Sequence, residues 1–150
     1  MTIEEIKAKL KRYRFIAGEI SDLLDERKRL RSLAEKITPS LSFAPVHGAN
    51  TDKMAPVVAN LIEVERYIEK RSKELLRARM EAEQIIDRLT DERHRAVLKC
   101  YYFSRRSWKD VAEHLHYSVK TATRLHGDAL LALRKDVLEC PCQPMIKYKM

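Results

Sequence analysis

Glycine and proline are scarce in this 150-residue chain, at 3 and 5 residues. A β fold, whose tight turns need both, is therefore disfavoured. No stretch approaches the eighteen or so consecutive apolar residues of a membrane span. The opening MTIEEIKAKLKRYR has no apolar core of a signal peptide, so the cytoplasm is the expected compartment. Thiols stay reduced there, and cysteine is sparse at 3 residues. Cys100 reads as a small core residue in an apolar helical pattern. Cys140 and Cys142, in ECPCQP, are too few for a zinc site and have no paired Cys-x-x-Cys elsewhere; His114, His116 and His126 are the residues that could complete one. Neither a metal nor a cofactor is expected. There is no phosphate-cradling Gly loop, no carboxylate pair in a pocket-forming context and no Cys/His pair at catalytic spacing, so no enzyme is expected. Asp110 and Glu113 share a helix face with nothing in the sequence to perturb them.

What is abundant is charge. Charged residues make up 35% of the chain, and 30 Lys+Arg against 22 Asp+Glu leave a net +8. High charge with few turn formers suits long solvated helices and predicts an all-α fold. A basic balance makes a polyanion a reasonable partner without saying anything about architecture.

Apolar residues recur at helical spacing from the start: Ile3, Ile6, Leu10, Tyr13, Ala17, Ile20 and Leu24. The stripe then slips back one position through Leu23, Leu30, Leu33 and Ile37, as a 3.6-residue helix does against a strict seven. Gly18 costs such a helix about 1 kcal/mol, too little to end it. ITPSLSFAPVHGANTD predicts a loop over about 38–52, with Asn50, Thr51 or Asp52 as the next N-cap and Pro56 near the first turn. A second helix is predicted from about 54 to 89. Its seam runs Met54, Val57, Leu61, Val64, Ile68, Arg71, Leu75, Ala78, Ala82, Ile85 and Leu89, broken only by the arginine. Residues 1–89 are thus expected to form a long antiparallel two-helix hairpin, a coiled coil for packing or oligomerisation. A homodimer through the 54–89 seam is the other use of that stripe. Arg12, Arg14, Arg66 and Lys70 beside the stripes read as a solvated face.

Residues 90–137 carry the functional signal, with 138–150 as a flexible tail. Thr90 or Asp91 caps a helix whose apolar face is Ala96, Val97, Cys100, Tyr101 and Phe103. Ser104, Arg105 and Arg106 make a polar link. Ser107 then caps a helix burying Trp108, Val111, Ala112 and Leu115. In WKDVAEHLHYSVKTATRLH the chain breaks at His116-Tyr117-Ser118 without Gly or Pro. His116 takes the turn at positive φ, Tyr117 drops into the core, and Ser118 caps the next helix. That helix buries Ala122, Leu125, Ala129, Leu130 and Leu133. Its N-terminal end presents Val119, Lys120, Thr121, Thr123 and Arg124, with no acidic residue before Asp128. Such a face suits base edges in a major groove: Lys120 or Arg124 to guanine, Thr methyls to thymine. Arg105, Arg106, Lys109 and Ser118 are the expected phosphate contacts.

SWKDVAEHLHYSVKTATRLHGDALLALRK resembles region 4 of bacterial sigma-70-type factors. The matching positions are Val111, Ala112, Leu115, Tyr117, Ser118, Ala122, Leu125, Ala129, Leu130, Leu133 and Arg134. DKMAPVVANLIEVERYIEKR, followed by IIDRLTDERHRAVLKCYYFSRRSWKDVAEHLHYS, is similar to small sigma-like regulators of phages and prophages, the ArpU/RinA-type late-gene regulators and neighbouring uncharacterised phage families. The resemblance covers most of residues 50–135. It implies a sigma-70 region 4-like helix-turn-helix domain and control of late or packaging-region transcription in a bacterial host cell. It also implies double-stranded DNA as partner, with contact to host RNA polymerase. The turn lacks the usual Gly, and Val119 and Thr121 replace charged residues, so no operator sequence transfers. No segment resembles the part of sigma that opens the −10 element. The expected function is a sequence-specific DNA-binding transcriptional regulator that places helix 118–135 in the major groove. A small-terminase-like packaging protein and a polymerase- or sigma-binding adaptor that reads no DNA stand as alternatives.

Overall fold

The computed structural model describes residues 1–37 and 51–139, which form five helices and, among the described residues, no strand. In chain order these are α1 (Ile3–Ile37), α2 (Thr51–Ile86), α3 (Glu92–Leu98), α4 (Trp108–Leu115) and α5 (Val119–Glu139). A wide turn, Lys99–Phe103, continues α3, and the Ser104 N–H closes it on the Lys99 carbonyl at 3.2 Å, five residues back. The all-α expectation holds. The predicted loop up to residue 50, with Asn50, and the tail from Cys140 through Cys142 onward lie outside the described residues.

Local chemistry sets the helix ends. Thr2 and Glu5 form a reciprocal cap on α1: the Glu5 N–H donates to Thr2 Oγ1 at 3.2 Å, and the Thr2 N–H to Glu5 Oε2 at 2.8 Å. Gly18 does not interrupt the helix. α2 begins at Thr51, three residues before the predicted start, so Pro56 sits inside it and removes one backbone bond near the first turns. It also stops at Ile86 rather than 89. There the Arg88 and Leu89 N–H groups turn back to the Ile85 and Ile86 carbonyls. Asp91 is the cap of α3, accepting the Arg93 N–H at 2.8 Å.

The chain divides into two compact units, and not at residue 89. Phe15–Arg77 is one. Here α1 and α2 run antiparallel, marked by ion pairs Arg31–Glu65 and Arg71–Glu19, both at 2.9 Å. Ile16, Leu30 and Val57 are buried, while Leu61, Val64, Ile68 and Leu75 of the seam are half-buried. Arg71 is tolerated in the seam because Glu19 and Glu74 (2.6 Å) neutralise it and it lies over the Tyr67 ring. Leu24 and Leu33, predicted for the α1 stripe, are exposed. The buried line precesses around the helix, so that Ile16, which the stripe omits, is buried where the stripe places Ala17.

Met1–Arg14 and, among the described residues, 78–139 make the other unit. Its main core joins Ile6 and Leu10 of α1, Ala82, Ile85 and Ile86 of α2, and Leu89 to Leu98, Tyr102, Ala129, Leu130 and Leu133. A second cluster holds Cys100, Val111, Ala112 and Ala122, flanked by Tyr101, Trp108 and Leu115. The α3 segment therefore faces apolar neighbours on two sides. A one-face periodicity misses Leu98 and Tyr102 for that reason, although both are fully buried.

Candidate nucleic-acid interface

Two short-range motifs shape the region of α4 and α5. Ser107 and Asp110 form a full capping box: the Asp110 N–H donates to Ser107 Oγ at 3.3 Å, the Ser107 N–H to Asp110 Oδ2 at 3.2 Å, and the hydroxyl to the same oxygen at 2.6 Å. These bonds, from the Ser107 side chain first, hold the Asp110 carboxyl below the usual carboxylate range. Asp110 is accordingly a capping group and not an unperturbed surface acid.

At the far end His116 adopts φ 57°, ψ 41°. The Tyr117 N–H donates to the Ala112 carbonyl at 2.8 Å, and the His116 N–H to Glu113 at 3.3 Å. This crossed pair is the Schellman closure that usually employs glycine. Ser118 Oγ then accepts the Thr121 N–H at 3.1 Å and shares a hydrogen bond with Thr121 Oγ1 at 2.8 Å, capping α5. Tyr117 is half-buried instead of lying in the core. As the residue just past the left-handed turn it lies along the rim, and the small Ala112 and Ala122 let α4 and α5 meet without it.

The exposed face of α5 assembles most of the predicted base-reading residues. Val119, Lys120, Thr123 and Arg124 are exposed. No acid occupies the first turn, where the partial positive charge of the helix end also sits. Thr123 Oγ1 donates to the Val119 and Lys120 carbonyls, both at 3.0 Å, so its methyl is the group left for a partner. Thr121 is half-buried with its hydroxyl committed to the Ser118 cap. Of the predicted phosphate contacts, Lys109 is exposed on the first turn of α4 and Arg106 is half-buried just before it. Arg105 is exposed, with a left-handed backbone at φ 53°. Ser118 is exposed, and its oxygen already works as a cap.

A stack of rings supports this face from below. Trp108 lies flat on Tyr101, centroids 4.1 Å apart with 13° between planes, and His126 meets Trp108 edge-on at 5.0 Å. On the other side the Arg14 guanidinium sits 4.2 Å over the Tyr101 ring and donates to the Tyr101 carbonyl at 3.0 Å. Arg14 is thus packed, not part of a solvated face. His126 Nε2 and Tyr102 Oη are 3.0 Å apart. Burial first, then the charges of Lys7 and Lys11, push the His126 pKa down to about 4. Burial pushes the Tyr102 phenol up to about 12. Both groups are neutral near pH 7, so their bond costs no buried charge. Sequence spacing had no means of finding Arg14 with Tyr101, which are 87 residues apart.

Among the described residues no helix is long and apolar enough to cross a membrane, and no group of three or more His, Cys, Asp or Glu is placed to hold a metal ion. No curated protein and no solved structure matches the chain. Residues 36–134 match the model of the family described as protein of unknown function (DUF1492), and the chain belongs to that family.

Proposed function

We propose that this protein is a sequence-specific double-stranded DNA-binding transcriptional regulator of the sigma region 4-like type, acting in the cytoplasm of a bacterial host. One observation carries the reading: a capped α4, a left-handed turn at His116 and a capped α5 expose Lys120, Thr123 and Arg124 on an acid-free helix start. A helix end of this kind fits the major groove, which is about 12 Å wide. Arg124 and Lys120 take guanine O6/N7, Thr123 and Val119 take thymine methyls, and Arg105, Arg106 and Lys109 hold phosphates. Thr121 and Ser118 act chiefly by fixing the start of α5. Host RNA polymerase and a second copy of this chain, meeting along the 54–89 seam, are the further partners of this reading.

Selection of bound duplexes from a random DNA library, repeated across salt concentrations, tests it. An enriched motif is expected, with each of Lys120→Ala and Arg124→Ala relaxing it at one position by about 1–3 kcal/mol. A two-fold repeat in the motif establishes a homodimer on two half-sites. Binding with no motif and a steep loss with salt sinks the reading, because it leaves only phosphate attraction. Ring-shaped oligomers with motif-free binding would point to a packaging protein. Capture of polymerase retained by Arg124→Glu, with no DNA motif, would point to an adaptor.

A further inference from the structure

The first three turns of α1 are far from α5 in sequence but belong to the same core, with Ile6 and Leu10 packed among Ala129, Leu130 and Leu133. That packing fixes the rotation of α1. At about 100° per residue, Lys7 and Lys11 share one edge of the helix, while Lys9 lies on the reverse side. Arg14 lies on that same edge, 4.2 Å over the Tyr101 ring, which in turn meets the His126 ring at 5.7 Å, so this edge is the one turned towards His126. His126 lies about one turn along α5 from Thr123, on the same side of the helix. Lys11 is exposed and Lys7 half-exposed. Lys7 pairs with Glu4 at 3.5 Å, and Glu4 is itself 84% exposed, so the pair is weak and exchangeable.

We infer that Lys7 and Lys11 are a second phosphate clamp, with α1 holding the DNA backbone beside the reading helix at a place that α4 does not reach. This rests on the DNA-reading function proposed above. α4 meets α5 at Ala122, while Ile6 and Leu10 of α1 share the core cluster of Ala129, Leu130 and Leu133. Basic groups thus stand at both places, Lys109 on α4 with Arg106 just before it, and Lys7 and Lys11 on α1, to meet phosphates at two points along the inserted helix. The N-terminal helix is then part of the DNA-binding surface as well as a packing arm.

The test measures affinity for the selected duplex against salt, using the full chain and its Lys7→Ala, Lys11→Ala and Lys9→Ala variants. All three remove one positive charge from α1, so a general field effect moves them together. Loss of a direct phosphate contact lowers the slope of log affinity against log salt by about 0.9. That decrease is expected for Lys7→Ala and Lys11→Ala, together with several-fold weaker binding that is equal across sequences. Lys9→Ala keeps the parent slope, and Lys7→Arg restores it. A selected motif with identical behaviour of Lys7→Ala, Lys11→Ala and Lys9→Ala overturns the clamp while leaving the DNA-reading function intact. Absence of any bound duplex for the parent chain overturns both.

Discussion

At the scale of single residues, the neutral pair of His126 and Tyr102 carries a pH dependence. The His126 pKa in the folded chain is about 4, below the ordinary value of 6.5. Between those values the unfolded chain binds the proton more readily, so stability is fully present above pH 6.5 and falls as the pH drops towards 4. A tenfold difference in proton affinity corresponds to about 1.4 kcal/mol, and the partial exposure of the ring reduces the total to about 1–2 kcal/mol. His126→Gln keeps a hydrogen-bonding group for Tyr102 but does not titrate. Denaturant midpoints taken from pH 7 down to 4.5 should fall less steeply for that variant than for the parent. Equal slopes would show that His126 is not the group responsible. Ser107 is a second residue-scale case. It is legible as a cap in the sequence, whereas the role of Asp110 in answering it is not. Ser107→Ala should cost about 1 kcal/mol in chemical unfolding, the usual loss for an N-cap.

At the scale of elements, the break at His116-Tyr117-Ser118 shows what local chemistry controls. His116 tolerates the left-handed region, and Ser118 supplies an acceptor for the Thr121 N–H. Both follow from residue type alone. Because only glycine takes φ 57° without strain, His116→Gly should stabilise the chain by up to about 1 kcal/mol, read from urea midpoints. A loss of stability would mean that the imidazole makes a contact outweighing the backbone strain. The α3 segment is harder to read from its residues. Periodicity assigns one buried face to a helix, but this one has apolar neighbours on two sides and a wide turn at Lys99–Phe103. Leu98 and Tyr102 therefore fall outside the apolar pattern, and so does the base of the ring stack under α5.

At the scale of the whole molecule, the N-terminal residues stabilise the part that carries the proposed interface. Ile6 is fully buried against side chains from α2 and α5. Ile6→Ala should destabilise the chain by about 2–5 kcal/mol, the range for a large-to-small change in a packed core. Trp108, the single tryptophan, is stacked on Tyr101 in the same unit, so its fluorescence reports that unfolding directly. A Trp108 transition unmoved by Ile6→Ala would show that the unit folds without α1. From the sequence alone came the all-helical fold, the three caps at Thr90-Asp91, Ser107 and Ser118, the left-handed turn and the charge of the α5 face. Each depends on residue type and short spacing, where propensity and capping act. Only the tertiary structure decided that the start of α1 shares a core with α5 and that Arg14 stacks on Tyr101. Those contacts link residues some ninety or more apart, and no periodicity within one helix records which other helix will cover it.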